Sequence, residues 1–299
     1  MLKYLTADEA IKINNRNRES QNAQLGSAVF TAGMGNIGWK EDERYYVDDA
    51  IGIDTQVNDQ GKTIDKPFKT IKYALNVARY IPGTTNIDYS KGRRKYVFVA
   101  PGQYNEQLLF SGYNISLIGL GQRSNGDYGV VINYDDAITT TAVVGFTGSG
   151  LEIANICIQC SQAIPALLLS SVSDAVHIHD CWIKGDNSKT CTIGISCAIK
   201  NSVIENNVIN GCITGIDVAA GAWFNNSIVR GNKITNCTNL IAIAATAVCT
   251  ESEISYNTGV GSATGIVNGQ ATDILIYQNY TKPAVSDAGS AAGGNTTLA

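Results

Sequence analysis

The sequence has little of what marks several large classes of protein. It contains only 5 prolines, and charged residues make up 16% of it, which fits neither a proline-rich linker nor a highly charged disordered chain. No run reaches the roughly 18 consecutive apolar residues of a membrane-spanning helix. The opening MLKYLTADEA lacks the regions of a secretory signal. We therefore expect no membrane partner, no signal peptide and synthesis in a cytoplasm.

An excess of positive charge is also missing. Lys and Arg total 22 against 26 Asp and Glu, which gives a formal net charge of -4. Proteins that hold a nucleic acid backbone do so through a positive surface. The sequence therefore predicts no nucleic-acid partner.

Cysteine is not scarce, but its placement argues against disulfides. The 8 cysteines lie largely in apolar, strand-like segments such as ANICIQC. A reducing compartment favours free, buried thiols in such places. We expect small core residues, including at Cys212 and Cys237, which lie one repeat apart.

A repeat of 25 residues is the strongest feature of the chain. Equivalent serines stand at Ser202, Ser227 and Ser252, in the segments SVIENNVIN, SIVRGNKITN and SEISYNTGV. A fixed period of this length defines a unit that stacks on its neighbours. Six coils can be counted in this frame, with anchor positions at Ile156, Cys181, Asn207, Asn232, Asn257 and Asn279.

Apolar residues follow the same frame. Three positions before each anchor stand Ile153, Ile178, Ile204, Val229, Ile254 and Ile276, and two positions after the first four stand Ile158, Ile183, Ile209 and Ile234. A second strand repeats at Ile216, Ile241 and Ile266. Short β-branched segments separated by Gly, Asn and Ser favour strands joined by tight turns. The sequence therefore predicts an all-β chain, a single-stranded right-handed parallel β-helix with about 25 residues per coil.

The asparagine anchors are predicted to form a ladder at one turn. Asparagine tolerates left-handed backbone angles, and its amide can both donate to and accept from the next rung. The members are Asn207, Asn232, Asn257 and Asn279.

The regions on either side of the repeat differ from it. Residues 1–44 combine the polar IKINNRNRESQNAQ with the Gly-rich TAGMGNIGWKEDE and are predicted to be an attachment arm. Residues 45–283 are predicted to form the β-helix, with an amphipathic capping helix near residues 67–80 that would close its end. Residues 284–299 are small and polar, which predicts a flexible C-terminal tail.

Several segments in the first part of the chain carry a family resemblance. YYVDD, PFKTI and VAPGQY resemble the first coils of pectin-lyase-like β-helix proteins. More narrowly, the chain resembles β-helix virion structural proteins of tailed bacteriophages, including those of cyanophages. That resemblance implies a homotrimer assembled in the host bacterial cytoplasm and bound to other virion proteins through residues 1–44. Trimerisation would cover outer apolar positions such as Trp182, Val208 and the stretch LIAIAATAV.

The two histidines are the candidates for a metal site. His177 and His179 lie two apart on a predicted strand, so both side chains could face one side, with Asp180 beside them. The local sequence offers no third and fourth ligand, which favours a structural role. We expect no metal and no other cofactor.

Register places His179, Glu205 and Arg230 in one column. Its plain interpretation is an exposed ion-pair ladder, and the alternative is a carboxylate of tuned acidity on a binding face. Hydrolysis of a glycan needs two carboxyls about 5–10 Å apart, for which Glu205, Asp217 and Asp180 are candidates. Acidic residues are nevertheless sparse in the coils.

The sequence therefore favours a non-enzymatic structural component of a phage virion: a capsid decoration, a neck protein, or a tail fibre, spike or adaptor. Two alternatives stay open. One is a tail-spike depolymerase that cuts surface polysaccharide. The other is a module that binds a host surface glycan without turnover, through outer aromatic rings such as Trp182 and Trp223.

Overall fold

The structure is a computed structural model that describes residues 43–56, 59–79, 94–121, 129–134, 141–185, 191–269, 274–282, 286–287, 291–293 and 296–297. In these ranges the chain forms one helix, α1 (Ile71–Arg79), and 27 strands, numbered here in chain order. The strands stack side by side in two sheets of 10 and 17 strands. All the strand pairings in these sheets are parallel, as in Ile178↔Ile204 and Ile183↔Ile209.

The first sheet receives one strand from each coil. Its members in order are β1 (Glu43–Val47), β2 (Lys95–Val99), β5 (Ile115–Gly119), β8 (Glu152–Ala154), β11 (His177–His179), β14 (Val203–Glu205), β18 (Ile228–Arg230), β21 (Ser252–Ser255), β23 (Ile274–Tyr277) and β26 (Ala291–Gly293).

The second sheet receives several strands from each coil. Its members are β3 (Gly102–Asn105), β4 (Leu108–Tyr113), β6 (Val130–Asn133), β7 (Val144–Ser149), β9 (Cys157–Cys160), β10 (Pro165–Asp174), β12 (Trp182–Gly185), β13 (Ile193–Lys200), β15 (Val208–Asn210), β16 (Thr214–Val218), β17 (Trp223–Asn225), β19 (Lys233–Ile243), β20 (Val248–Thr250), β22 (Thr258–Asn268), β24 (Tyr280–Lys282), β25 (Ser286–Asp287) and β27 (Thr296–Thr297).

This arrangement confirms the predicted fold, an all-β right-handed parallel β-helix with about six regular coils of about 25 residues. The predicted columns pair rung by rung: Ile204↔Val229↔Ile254 in the first sheet and Ile216↔Ile241↔Ile266 in the second. The predicted inward columns are buried, with at most 1% of any side chain exposed in Ile153, Ile178, Ile204, Val229, Ile254, Ile276, Ile158, Ile183, Ile209 and Ile234. Each such side chain contributes about 1.5–3 kcal/mol to the free energy of unfolding.

The asparagine ladder is confirmed by its hydrogen bonds. The Oδ1 atom of Asn232 accepts from the backbone N and the Nδ2 of Asn207, both at 3.0 Å, and its own Nδ2 donates to the Ile204 carbonyl at 3.0 Å. Asn257 and Asn279 repeat the pattern one and two coils later. Each amide therefore ties two successive coils together in the interior.

The backbone part of that prediction is wrong, because the ladder asparagines are not the left-handed residues. The positive φ falls on the residue before each of them: Asn206 (57°), Gly231 (63°), Tyr256 (54°) and Gln278 (51°). The asparagine that follows each left-handed residue is buried in the core. The left-handed backbone angle and the ladder hydrogen bonds thus belong to two adjacent positions, whereas the sequence predicts both at the asparagine.

The repeating serines form a second internal ladder. The backbone N of Val176 donates to the hydroxyl of Ser202 at 2.9 Å, that of Ser202 to Ser227 at 3.3 Å, and that of Ser227 to Ser252 at 3.2 Å. All three serines are buried. The turn that carries the serines is therefore held in register by a side chain of the next coil, as the asparagine turn is.

The capping helix lies within the predicted segment but is shorter than it. Its buried side chains Ile71, Ala74, Leu75 and Ala78 join the core, whereas Phe68 precedes the helix and pairs with Val47. Two carboxylates satisfy the amides at its start. Asp54 accepts from the N–H groups of Lys69 and Thr70, and Glu106 accepts from those of Ile71 and Lys72.

The boundaries at the two ends come out differently. Residues 1–42 of the predicted arm lie outside the described residues, and Glu43 and Arg44 already belong to β1. At the other end, β25, β26 and β27 pair with β22, β23 and β24. The described residues after 284 thus include short paired strands, and the flexibility of residues 284–299 stays a prediction.

The predicted outer apolar surface needs a correction. Trp182 and Val208 lie in register on the outside and are half-buried. In the stretch LIAIAATAV, however, Leu240, Ile241 and Ile243 face the core. That stretch therefore offers mainly Val248, 41% exposed, to a partner. Trimer formation stays a prediction.

Two further expectations concern thiols and membranes. All eight cysteines are free and buried, as the sequence predicts. In the ranges described above, no helix has the length and apolar character needed to cross a membrane.

We predict that Asn232→Ala lowers the free energy of unfolding by about 2–4 kcal/mol, because the buried backbone N–H of Asn207 loses its acceptor and the Ile204 carbonyl loses the amide that donates to it. Urea unfolding followed by circular dichroism measures this loss. The matched control is Asn210→Ala one coil earlier, whose half-buried side chain makes one bond, to Thr235, and should cost about 1 kcal/mol or less. Equal losses in the two variants would contradict a structural role for the ladder.

Candidate functional site

Strand β11 places both histidines on the outer face of the first sheet. Ile178 between them points inward and is fully buried, so His177 and His179 point outward. Their rings stack with centroids 4.1 Å apart and planes inclined by 30°. β8 and β14 flank this strand and bring carboxylates from the two neighbouring coils.

His179 lies between two carboxylates. Its Nδ1 is 2.8 Å from Oδ2 of Asp180, and its Nε2 is 3.3 Å from Oε1 of Glu152. Burial lowers the pKa of His179, but the hydrogen bonds to Asp180 and Glu152 outweigh it and raise that pKa to about 9. The imidazole is therefore charged at neutral pH.

Glu152 is held from its other side by residues of the earlier coils. The Ser116 hydroxyl donates to Oε2 of Glu152 at 2.6 Å, and the Arg94 guanidinium donates to Ser116 and lies 3.6 Å from the same carboxylate oxygen. The hydrogen bond from His179 is the largest influence on Glu152, and together with Ser116 and Arg94 it outweighs burial. The pKa of Glu152 falls to about 2.

Glu205 contacts one histidine and one arginine. The histidine is His177, although the residue paired in register with Glu205 is His179. The predicted column is confirmed, since His179↔Glu205 and Glu205↔Arg230 are paired in register. Oε1 of Glu205, however, lies 2.9 Å from Nε2 of His177, and Oε2 accepts from Nε of Arg230 at 2.8 Å. Like-facing side chains on adjacent strands also meet diagonally, and here the diagonal contact is the one made. Burial raises the pKa of Glu205, but the bonds from Arg230 and His177 lower it overall.

The other acidic candidate lies elsewhere. Asp217 belongs to β16 in the second sheet, between Ser196 and Ala242, whereas Asp180 and Glu205 flank the histidine pair in the first. Burial raises the pKa of Asp217. The structure thus brings two of the three candidate carboxylates to one cluster and leaves the third apart.

A pocket of about 390 Å³ lies beside the start of α1. It is lined by Thr70, Lys72, Tyr73, Asn76, Asn105, Glu106, Gln107 and Tyr134. Glu106 is the one carboxyl in this lining, and both of its oxygens accept helix amides. Burial raises the pKa of Glu106 more than these bonds lower it.

The cluster on the outer face also has the donor atoms of a metal site. One ring nitrogen from each of His177 and His179 and one oxygen of Glu152 lie within 4.8 Å of one another. Glu152 is the ligand that local sequence does not show, because it comes from the preceding coil. The 25-residue frame contains the signal, since Glu152 stands one repeat before His177. Ser116 and Arg94 lie in the less periodic coils, where no such frame applies.

Comparison with known proteins gives one family. The family described as "Periplasmic copper-binding protein (NosD)" matches residues 95–296, which is more than half of the chain. The chain belongs to this NosD family. No curated protein matches it significantly.

Solved structures resemble this NosD-family chain only loosely. Pectin methylesterase PemA from Erwinia chrysanthemi is 14% identical with a TM-score of 0.48, and the match covers 87% of this chain and 94% of that one. A deglycosylated pectin methylesterase from Aspergillus niger is 13% identical with a TM-score of 0.48, over 87% of each chain. The GH136 lacto-N-biosidase from Eubacterium ramulus is 14% identical with a TM-score of 0.22, over 85% of this chain and 67% of that one. None of these likenesses supports a statement about activity.

The pKa values of the NosD-family chain predict a pH-dependent contribution of the cluster to folding. The pKa of His179 is raised from 6.5 to about 9, so its stabilisation is complete below pH 6.5 and disappears as the pH rises through about 9. The pKa of Glu152 is lowered from 4.5 to about 2, so its stabilisation is present above pH 4.5 and is lost as the pH falls through about 2. The stabilisation by both groups is thus complete between pH 4.5 and 6.5.

We therefore expect His179→Gln to cost on the order of 1–2 kcal/mol near pH 6 and little above pH 9.5. Urea unfolding of both proteins in EDTA, at several pH values, measures the difference. A cost that stays constant from pH 6 to pH 9.5 would mean that the charge on His179 does not stabilise the fold.

Proposed function

We propose that this chain is a non-enzymatic structural component of a bacteriophage virion, a rigid spacer or cementing element anchored through residues 1–44 to other virion proteins and present as a homotrimer. The observation that carries the proposal is the continuous first sheet. Its 10 strands stack from Glu43 to Gly293. At about 4.8 Å per step, this stack is about 43 Å long.

Rigidity is the property that such a role requires, and two features supply it. The asparagine and serine ladders tie successive coils inside the core. The ionic cluster ties them on the outer face, from Ser116 through Glu152 and the histidines to Arg230. A structure with such links between coils resists local opening, which also limits proteolysis.

The chemistry of the acidic residues favours this role over a depolymerase. A glycosidase needs one carboxylic acid kept protonated and a second carboxylate close to it. Glu205 and Glu152 are ion-paired and have lowered pKa values, and Asp217, whose pKa burial raises, lies apart from them in the second sheet. The pocket beside α1 holds one carboxyl, Glu106, which is occupied by helix amides. Glycan binding without turnover stays an alternative outcome of the experiment below.

A metal-binding role is the second candidate function. The family description names copper, and imidazole nitrogens are ligands that Cu²⁺ accepts. The close approach of Glu152, His177 and His179 is the observation that favours it. Of the described residues, these three would hold the ion. The two roles are compatible, since the ion-paired cluster lies on the outer face and the ladders that tie the coils inside the core do not involve it.

The virion role is tested on the phage particle itself. We expect purified particles to contain the chain by mass spectrometry and a cryo-electron reconstruction to show the β-helix as a symmetric trimer. Reversing arm charges with Arg16→Glu and Arg18→Glu should reduce its incorporation several-fold. The matched control reverses two exposed charges on the coils, Lys233→Glu and Lys282→Glu, and should not.

Two results would contradict the proposal. One is absence of the chain from particles. The other is release of oligosaccharide from host polysaccharide by the purified protein, which would make the depolymerase the leading function. Retention of that polysaccharide without cleavage would instead support the glycan-binding module.

A further inference from the structure

We infer that Glu152, His177 and His179 form a binding site for one divalent first-row transition-metal ion on the outer face of the first sheet. This inference rests on the second candidate function and names its residues and geometry. The ion would bridge two coils, with Glu152 on β8 and the histidines on β11. It does not depend on the virion role.

The spacing of the donor atoms suits a small tetrahedral ion. Metal–nitrogen and metal–oxygen distances of about 2.0–2.1 Å at a tetrahedral angle place two ligand atoms about 3.3–3.4 Å apart. Nε2 of His179 and Oε1 of Glu152 are 3.3 Å apart. The third donor comes from His177, whose ring already stacks on that of His179. Three donors within 4.8 Å of one another therefore need only small side-chain shifts.

The residues that hydrogen-bond to the proposed ligands are of the kind that orients ligands in metal sites. An imidazole that binds a metal through one nitrogen almost always donates its other N–H to a carboxylate or carbonyl, which fixes the ring. Asp180 occupies Nδ1 of His179 and leaves Nε2 toward Glu152, and binding of an ion at Nε2 would release its proton to solvent, because an imidazole ligand is neutral. Glu205 holds the ring of His177 through Nε2, and one ring nitrogen of His177 lies within 4.8 Å of the other two donor atoms. Each histidine thus has its own outer carboxylate.

The third ligand is supported in the same way. The Ser116 hydroxyl holds Oε2 of Glu152, so Oε1 remains directed at His179. Glu205 is itself held by Arg230. The ligands lie on β8 and β11, and the supporting Ser116, Glu205 and Arg230 lie on the neighbouring strands β5, β14 and β18 of the same sheet. The regular coil spacing therefore sets the positions of the donors.

The site is open to an incoming ion and to a fourth ligand. The exposed fractions of the side chains are 40% for His177, 21% for His179 and 22% for Glu152. A site with three protein ligands and an open position leaves room for water or for a group on a partner molecule. Imidazole and carboxylate donors favour zinc-like ions over Ca²⁺ or Mg²⁺, which take all-oxygen sites.

The test uses the full chain without an affinity tag, titrated with Zn²⁺ by calorimetry. Zn²⁺ is the probe because it does not oxidise the eight free thiols. We expect one Zn²⁺ per chain and no binding of Mg²⁺. Because the sequence has 2 histidines, the ¹⁵N spectrum of the imidazoles reports only this site. Both ring signals should change on adding Zn²⁺.

The variants separate ligands from supporting groups. His177→Ala with His179→Ala should abolish the binding, and Asp180→Asn, which changes only the group behind His179, should weaken it about 10-fold. The matched control is Glu253→Gln, which occupies the same register column as Glu152 four coils later and should leave the affinity unchanged. Where an alanine variant does not fold, glutamine at both histidines replaces it.

The possible failures are distinguishable. If the wild-type chain binds no Zn²⁺, both this inference and the second candidate function are wrong. If the double histidine variant binds Zn²⁺ as tightly as the wild type, the site assignment is wrong and the second candidate function would need another location. Glu152→Gln should weaken the binding, because it removes the charge of one ligand. If Glu253→Gln weakens it as much, only diffuse surface charge is being measured, which also overturns the inference.

Discussion

The hydrogen bonds of the buried asparagines are the interaction on which the rest of the structure depends. Each amide accepts from the coil before it and donates to a backbone carbonyl, so a coil that slipped by one residue would leave several buried polar groups without partners. A slip would also turn the inward isoleucines outward. Apolar packing supplies most of the stability, and the buried amides add a directional requirement to it. The polar ladders select one register.

The outer cluster is a consequence of that register. Glu152 and His177 face each other because they stand one coil apart, and Glu205 lies beside the histidines for the same reason. The charges alternate along the sheet, so that each carboxylate lies near a cation. The same arrangement can stiffen the rod or hold an ion. A scaffold role and a metal site are thus two uses of one repeated geometry.

The regular coils could be predicted almost residue by residue, because residues that are 25 apart in the sequence lie next to each other in adjacent coils. The period identified the inward columns and the ladder of Asn207 and Asn232. It could not show that Glu205 bonds to His177 rather than His179, since that choice depends on side-chain rotamers. Arg94 and Ser116 could not be placed in the cluster, because the first coils vary in length. The paired strands after residue 284 were also missed, as their small side chains carry no apolar signal.

The central claim is that one 25-residue coil is the unit of this fold, and removal of one unit tests it most directly. Deleting residues 232–256 joins Gly231 to Asn257 and keeps the ladder, the cluster and every inward column in phase. We predict cooperative thermal unfolding close to that of the full chain. Deleting residues 232–255 removes one residue less, shifts the phase by one and should abolish cooperative unfolding. Similar behaviour of the two deletions would contradict the claim.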